Sequence, residues 1–440
     1  MVQAKPKSKG TKGTVLKLDI SVGPVIWTAN IIALAFVVVL LLRNLIPWRA
    51  SRFFWTVAGI VIGWSVMWVL IAVLFIWLNA FDGPLEHRSL TWLFLGFGAM
   101  GLAVRGFWTF RKWWKIIPIV ALLSFTVSTT LGVNSAYGIT PQLGTFLGLP
   151  IEDPVPLPKV TGAPVETVGN LKQTWQPPTD MPDRGVSGLI PGGIPNTASQ
   201  FPARGATIYL PPAALVANPP KLPLVIFMMG KPGSPDPQFI ARELEAHAKA
   251  NKGLAPIAVI VDQLGNPMHD PMCFDGRRGN VDTYISQDVV SWVRGNLNIV
   301  TSPSQWVISG YSNGGSCAQY FGAKYPTIWG NLLSVSGEEY PGEGVGTVLG
   351  EMFKGDKAAW EAVKPSAFLS QNKYPDSMAV FTTGELDTRY GPGLKHFASM
   401  AQAAGMKTVV ITLPGVDHNN DALIEGIKQG MAALYPRLGV

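Results

Sequence analysis

Gly310-Tyr311-Ser312-Asn313-Gly314-Gly315 is the stretch of this 440-residue sequence whose residue types and spacing imply chemistry most clearly. A serine hydroxyl is a weak nucleophile until a base takes its proton. A G-x-S-x-G string suits that task when it turns sharply from a strand into a helix. The turn lifts the hydroxyl above the sheet and leaves no room for side chains at the flanking positions. Residues 306–309 read as the strand and 315–325 as the helix. Ser312 is therefore the candidate nucleophile, and the backbone N–H of Asn313 is a candidate donor to the oxyanion that its attack would create.

Such an elbow requires an acid and then a histidine later in the chain. Of five histidines, only His418 follows Ser312 in a loop after a terminal strand, within the turn-rich segment 414–420; His396 falls inside a helix expected at 394–404. A single histidine is more often a satisfied structural side chain, and it is position that selects His418 as the base. Gly384-Glu385-Leu386-Asp387 follows a strand expected at 378–382. Asp387 is preferred as the acid because a G-x-x-D turn there is the commoner arrangement, with Glu385 as the alternative. Asp417 adjoins His418 too closely in sequence to serve. The loop 229–234 should bring a second oxyanion donor, and Lys231 has the N–H that Pro232 lacks. No metal or other cofactor is expected, since neither cysteine has a second at metal-ligand spacing.

The elements that must position these residues alternate. Strands are predicted at 222–229, 255–261, 306–309, 331–335, 378–382 and 408–413, and helices at 238–251, 283–297, 315–325, 394–404 and from 421 onward. Continuous apolar strands alternating with helices imply an α/β domain, a mostly parallel sheet covered on both faces.

The N-terminal third has a different character. Charged residues make up 14% of the whole sequence, against about 25% in an average soluble domain. The deficit sits in four apolar runs, at 24–42, 53–78, 89–104 and 116–133, and a span needs roughly 20 apolar residues. Trp27, Trp48, Trp55, Trp77, Trp92, Trp108, Trp113 and Trp114 fall near their ends, where indole rings favour the membrane interface. Arg43 and Asn44 follow the first run instead of a small-residue cleavage site, which argues against a signal peptide. Arg43, Arg49 and Arg52 lie between runs one and two, and Arg105, Arg111, Lys112 and Lys115 between three and four. The segment with Asp82, Glu86 and Arg88 is slightly acidic. The positive-inside rule then places the basic connections in the cytoplasm and both ends of the four-span region outside, although Lys5, Lys7, Lys9, Lys12 and Lys17 pull the other way.

The expected organisation is a basic tail at 1–20, a transmembrane region at 21–135, a proline-rich extended linker at 136–183 and an α/β-hydrolase domain at 184–440. The net charge of +7 does not imply a nucleic-acid partner, because the basic residues flank apolar runs and form no stripe on a soluble domain. Cys273 and Cys317 are the only cysteines; one disulfide or two buried thiols would both fit.

At GYSNGG (310–315), GELD (384–387), DHNN (417–420) and the stretch 262–288, the C-terminal domain resembles the esterase family that includes esterase D and the bacterial mycolyltransferases. A group of membrane-bound actinobacterial esterases is similar across nearly the whole chain, including four N-terminal spans and NSAYG at 134–138. The resemblance implies a hydrolase domain outside the cytoplasm, and a bridge between Cys273 and Cys317 that would join a loop to the elbow helix. Many relatives carry His-Gly where this chain has Met229-Gly230, which weakens any transfer of substrate by analogy.

The function expected is that of a multi-pass cell-membrane protein with an extracytoplasmic serine esterase or acyltransferase domain. Its partners would be the membrane and a lipid or envelope ester. Within that class, hydrolysis of aminoacyl esters on phospholipids is an alternative. A non-catalytic envelope scaffold with a hydrolase-like fold is another, because fold alone does not guarantee activity.

Overall fold

The computed structural model describes residues 15–78, 85, 87–137, 140–147, 149, 152–158, 171–267, 270–343 and 345–440. Lys5, Lys7, Lys9 and Lys12 of the basic tail, Asp82 and Glu86, Gly138 of the NSAYG segment, and Pro150 and Pro164 lie outside the described residues. The chain divides into two compact units, Met1–Ile151 and Glu152–Val440.

In the first unit, four helices among the described residues are long and apolar enough to cross a membrane. They are α1 (Pro24–Leu45), α2 (Ala50–Ile71, continued by a π-helical turn at Ala72–Trp77), α3 (His87–Thr109) and α4 (Ile116–Tyr137). Each runs past the apolar limits read from the sequence, so Arg43, Arg52 and Arg105 sit on helices and not in the connections between them. Helix hydrogen bonding does not stop where hydropathy does. Long basic side chains continue a helix while their heads reach toward the interface.

Small and polar residues join these helices, as expected where lipid gives no hydrophobic force between them. Gly59 and Gly63 of α2 lie against α3, where a Cβ on Gly63 would collide with the carbonyl of Phe97 and one on Gly101 with that of Gly59. Asn44 donates to the Leu102 carbonyl at 3.2 Å and accepts from Thr109 Oγ1 at 2.6 Å, and Ser128 donates to Asn30 at 2.7 Å.

The second unit is built on an eight-stranded sheet. Its strands are β1 (Val186–Leu189), β2 (Thr207–Leu210), β3 (Leu224–Met228), β4 (Ile257–Val261), β7 (Trp306–Tyr311), β8 (Asn331–Val335), β9 (Met378–Gly384) and β10 (Lys407–Leu413); a separate hairpin pairs β5 (Asp275–Gly276) with β6 (Gly279–Asn280). The order is β1-β2-β4-β3-β7-β8-β9-β10, antiparallel at β1-β2-β4 and parallel elsewhere. The central strands read as unbroken apolar runs because both faces are covered: Ile226, Phe227, Val259, Val307, Ile308, Leu333, Val380 and Phe381 are fully buried.

Helices α5 (Gln238–Ala250), α6 (Val290–Asn296), α7 (Asn313–Lys324), α8 (Val348–Phe353), α9 (Lys357–Ala362), α10 (Pro365–Gln371), α11 (Gly391–Ala403) and α12 (Asn420–Leu438) complete the unit. The helix expected at 283–297 is interrupted by a π-helical turn at Tyr284–Val289. Flanking that turn, Asp282 accepts from Tyr320 at 2.9 Å, and Asp288 within it accepts from the N–H groups of Ala198 and Ser199 at 2.9 and 3.0 Å.

The proline-rich segment is more than a linker. Pro154 bridges Leu189 beside β1, Val155 is buried, and the Pro-free stretch before Pro177 forms one helical turn at Leu171–Thr174. Lys172 then donates its N–H to Gly439, and Trp175 its Nε1–H to the Lys252 carbonyl at 3.0 Å.

Parallel pairing brings the carboxyl ends of six strands to one edge, with Val261 of β4 opposite Met228. Met228 is opposite Gly310, Tyr311 opposite Val335, Val335 opposite Thr382, and Gly384 opposite Leu413. The loops leaving that edge carry the residues singled out above.

Candidate active site

Ser312 stands between β7 and α7 with φ 51° and ψ −118°, a backbone conformation L-residues rarely adopt. The glycines around it are there for want of space. A Cβ on Gly310 would strike the Gly314 carbonyl, and one on Gly314 would strike the carbonyl of Met228. The helix consequently begins at Asn313, two residues earlier than hydropathy suggests, since Gly314 and Gly315 lie in its first turn.

The Ser312 hydroxyl lies 2.9 Å from His418 Nε2, and His418 Nδ1 lies 2.8 Å from Asp387 Oδ2. An ionised carboxylate can only accept, so Nδ1 carries the hydrogen given to Asp387 and Nε2 is left to accept from the serine. Burial works to raise the Asp387 carboxyl. The His418 hydrogen bond and charge, with the N–H groups of Tyr390 and Gly391, outweigh it and hold the carboxyl below its ordinary range. Tyr390 donates its N–H to Oδ1 at 2.9 Å, so both carboxylate oxygens are engaged.

Rings wall in the imidazole: the Tyr390 centroid is 4.9 Å away and that of Tyr311 5.5 Å, nearly parallel. Tyr311 also donates its hydroxyl to the Asn419 carbonyl at 3.1 Å, tying the residue before Ser312 to the residue after His418. Glu385, the alternative acid, points elsewhere: it accepts the Gly415 N–H at 2.8 Å. His396 bonds Glu339 on the exposed face of α11.

The loop after β3 passes beside Ser312. A Cβ on Gly230 would stand 3.2 Å from Ser312 Cβ and 2.9 Å from the Tyr311 ring, so that backbone approaches the nucleophile as no residue with a side chain could. Lys231 is the next residue, and Gly233 turns back to donate to the Gly230 carbonyl at 2.6 Å. Cys273 and Cys317 form a disulfide that ties the loop after β4 to α7.

Three side chains near the site belong to no catalytic motif singled out above, although Gln263 and Asp270 fall in the stretch 262–288 that carries the family resemblance. Gln263 and Asp270 both bond Asn313. Glu338, after β8, is 9% exposed, and its Oε2 has no hydrogen-bond partner among the described residues. Burial, reinforced by Asp270 and Glu343, pushes its carboxyl up to about 8, against the pull of Lys231 and Arg389.

A serine on a strained elbow, reached by an imidazole and a carboxylate from later loops of a mostly parallel sheet, defines the α/β-hydrolase class. Residues 203–421 match the family described as "Putative esterase", and the chain belongs to that esterase family. It is similar to an uncharacterized protein of Corynebacterium glutamicum, with 30% identity over 314 residues, 68% of this chain and 70% of that one. Among solved structures it is similar to a ferulic acid esterase (TM-score 0.48, 12% identity, 58% of this chain and 98% of that one). It is also similar to an S-formylglutathione hydrolase from Agrobacterium tumefaciens (TM-score 0.46, 15% identity, 59% of this chain and 98% of that one).

Proposed function

We propose that this protein is a membrane-anchored serine esterase or acyltransferase, with residues 184–440 as a hydrolase domain acting outside the cytoplasm on a lipid or cell-envelope ester. The observation that carries the reading is the hydrogen-bonded series from Ser312 Oγ through His418 to Asp387. His418 takes the hydroxyl proton as Ser312 attacks the acyl carbon. The developing oxyanion is met by the N–H groups of Asn313 and Lys231. His418 then gives its proton to the departing alcohol, and Asp387 stabilises the imidazolium in between. Water or an acceptor hydroxyl next loses a proton to His418 and attacks the acyl-serine; His418 returns that proton to the departing Ser312 oxygen, releasing an acid or a new ester.

Two features support the location. The Cys273–Cys317 bond suits an oxidising compartment, and the basic residues flanking the first and third connections favour a cytoplasmic position for those connections. Intact cells exposed to a fluorophosphonate should yield a labelled band that vanishes in Ser312→Ala. If wild type takes no label, or Ser312→Ala rescues a deletion phenotype as well as wild type does, a scaffold role replaces the enzymatic one.

Glu338 favours a narrower reading, hydrolysis of aminoacyl esters on phospholipids. Lys231, and Tyr390 against His418, are within electrostatic reach of this carboxyl, so an ammonium held nearby would favour its ionised form. An aminoacyl-phospholipid should be cleaved faster than its N-acetylated form, with the preference lost in Glu338→Gln; equal rates in wild type would rule this reading out.

A further inference from the structure

We infer that Gln263 and Asp270 are positioning residues that lock the two halves of the oxyanion site together. The inference rests on the serine-hydrolase reading and names what holds its anion site in shape. The first half is the loop after β3, with Lys231. The second is the N-terminus of α7, with Asn313. The sheet pairs the two strands only as far as Met228 and Gly310, so the loop backbone beyond that pair needs anchors of its own.

Gln263 spans the gap. Its Nε2 donates to the Met229 carbonyl at 2.5 Å and to Asn313 Oδ1 at 2.9 Å, so both hydrogens of one amide are used, one on each half. Met229 precedes Gly230 and Lys231, and Asn313 follows Ser312. The other end of the Asn313 amide is held as well: Nδ2 donates to Asp270 Oδ2 at 2.8 Å. Fixed at both ends, the side chain cannot turn without breaking a buried bond.

Asp270 is anchored in its turn. Its Oδ1 accepts the Met272 N–H at 2.8 Å, next to Cys273, whose sulfur is joined to Cys317 four residues beyond Asn313 on α7. The loop after β4 therefore grips α7 twice, by a covalent bond and by a side-chain clamp. Gln263, Asp270 and Asn313 are 2, 3 and 2% exposed, so water cannot replace a lost partner, and each bond acts in a low-dielectric setting. The clamp sits one residue from the strained Ser312, where relaxation would otherwise begin.

The test uses the full chain in detergent micelles, p-nitrophenyl acetate as substrate, and endpoint fluorophosphonate titration to count active sites. Gln263→Met removes both donated hydrogen bonds at similar volume. Its kcat per titrated site should fall about 10- to 100-fold with KM within about threefold, since donors displaced by under an ångström lose transition-state contact and keep ground-state binding. Affinity for a boronic acid, whose tetrahedral serine adduct mimics the oxyanion, should fall by the same factor. Asp270→Asn keeps one oxygen for Asn313 but turns its NH2 toward the Met272 N–H, so its loss should be clearly smaller than that of Asp270→Leu, which should behave like Gln263→Met. A Gln263→Met kcat within twofold of wild type, unchanged boronate affinity, or equal loss in both Asp270 variants would overturn the inference. If Gln263→Met yields no titratable sites, the Asp270 pair decides. A Ser312→Ala protein as active as wild type would instead overturn the underlying reading, whereas an inactive one beside a fully active Gln263→Met would overturn only the clamp.

Discussion

The carboxylate of Asp387 takes the Nδ1 hydrogen of His418 at 2.8 Å, whereas that of Glu385, two residues earlier, takes the backbone N–H of Gly415 at the same distance. Two acids on one turn thus have separate tasks, one toward the imidazole and one toward the loop that carries it. Asp387→Asn should lower kcat by about 10⁴, because the amide favours the wrong imidazole tautomer. Glu385→Gln keeps an oxygen for Gly415 and should remain within about threefold, given the small net worth of one exposed hydrogen bond. Steady-state kinetics on the two purified variants checks the pair. A larger loss in Glu385→Gln would reverse the assignment.

The disulfide closes a loop spanning a sequence separation of 44 residues. In a chain-entropy treatment, a loop of that size restricts the unfolded state by about 4 kcal/mol, and measured values are typically 2–4 kcal/mol. Cys273→Ser should therefore lower the apparent thermal midpoint clearly. Reductant should do the same to wild type and nothing further to the variant.

Glu338 makes stability depend on pH with a definite sign. Its carboxyl would release its proton near 4.5 in the unfolded chain but holds it to about 8 in the folded one, because of burial first and then neighbouring acids. Between those values the unfolded state binds fewer protons, so stability falls as pH rises through the window. Asp236, pushed up to about 6 chiefly by burial, acts with the same sign over a lower range. Glu338→Gln should therefore have a higher midpoint than wild type at pH 8 and little difference at pH 4. Melting curves across pH 4–9 test this, and parallel wild-type and variant profiles would contradict it.

Orientation is open to a labelling experiment. Single cysteines placed at Arg49 and Lys112 in a Cys273→Ser/Cys317→Ser background should resist an impermeant maleimide in intact cells and react once the membrane is opened. A cysteine at the exposed Lys395 should react from outside. The opposite pattern would put the hydrolase domain in the cytoplasm.

Local patterns made part of this molecule legible. The central parallel strands appear as apolar runs because both faces are buried, unlike the half-exposed edge strand β10. The elbow appears because steric exclusion at Gly310 and Gly314 admits only glycine. Strands β1 and β2 do not stand out, being four residues each and paired antiparallel at an edge. The three helices between Val348 and Gln371 are too short to show a period. The Asn313 clamp is not legible as a contact: Gln263 and Asp270 lie in the stretch 262–288 that carries the family resemblance, yet they meet their partner across 50 and 43 residues, and such a contact has no periodicity to betray it.

Helix α12 opens immediately after the imidazole. Asn419 caps it by accepting the N–H groups of Asp421 and Ala422, and eighteen residues later Arg437 fastens its far end to Asn331 and Asp376. The histidine thus rides on the head of a rigid strut moored at the opposite rim of the sheet. Loosening Arg437, far from any ester, should let the ring wander, so slowed turnover there would be a matter of leverage.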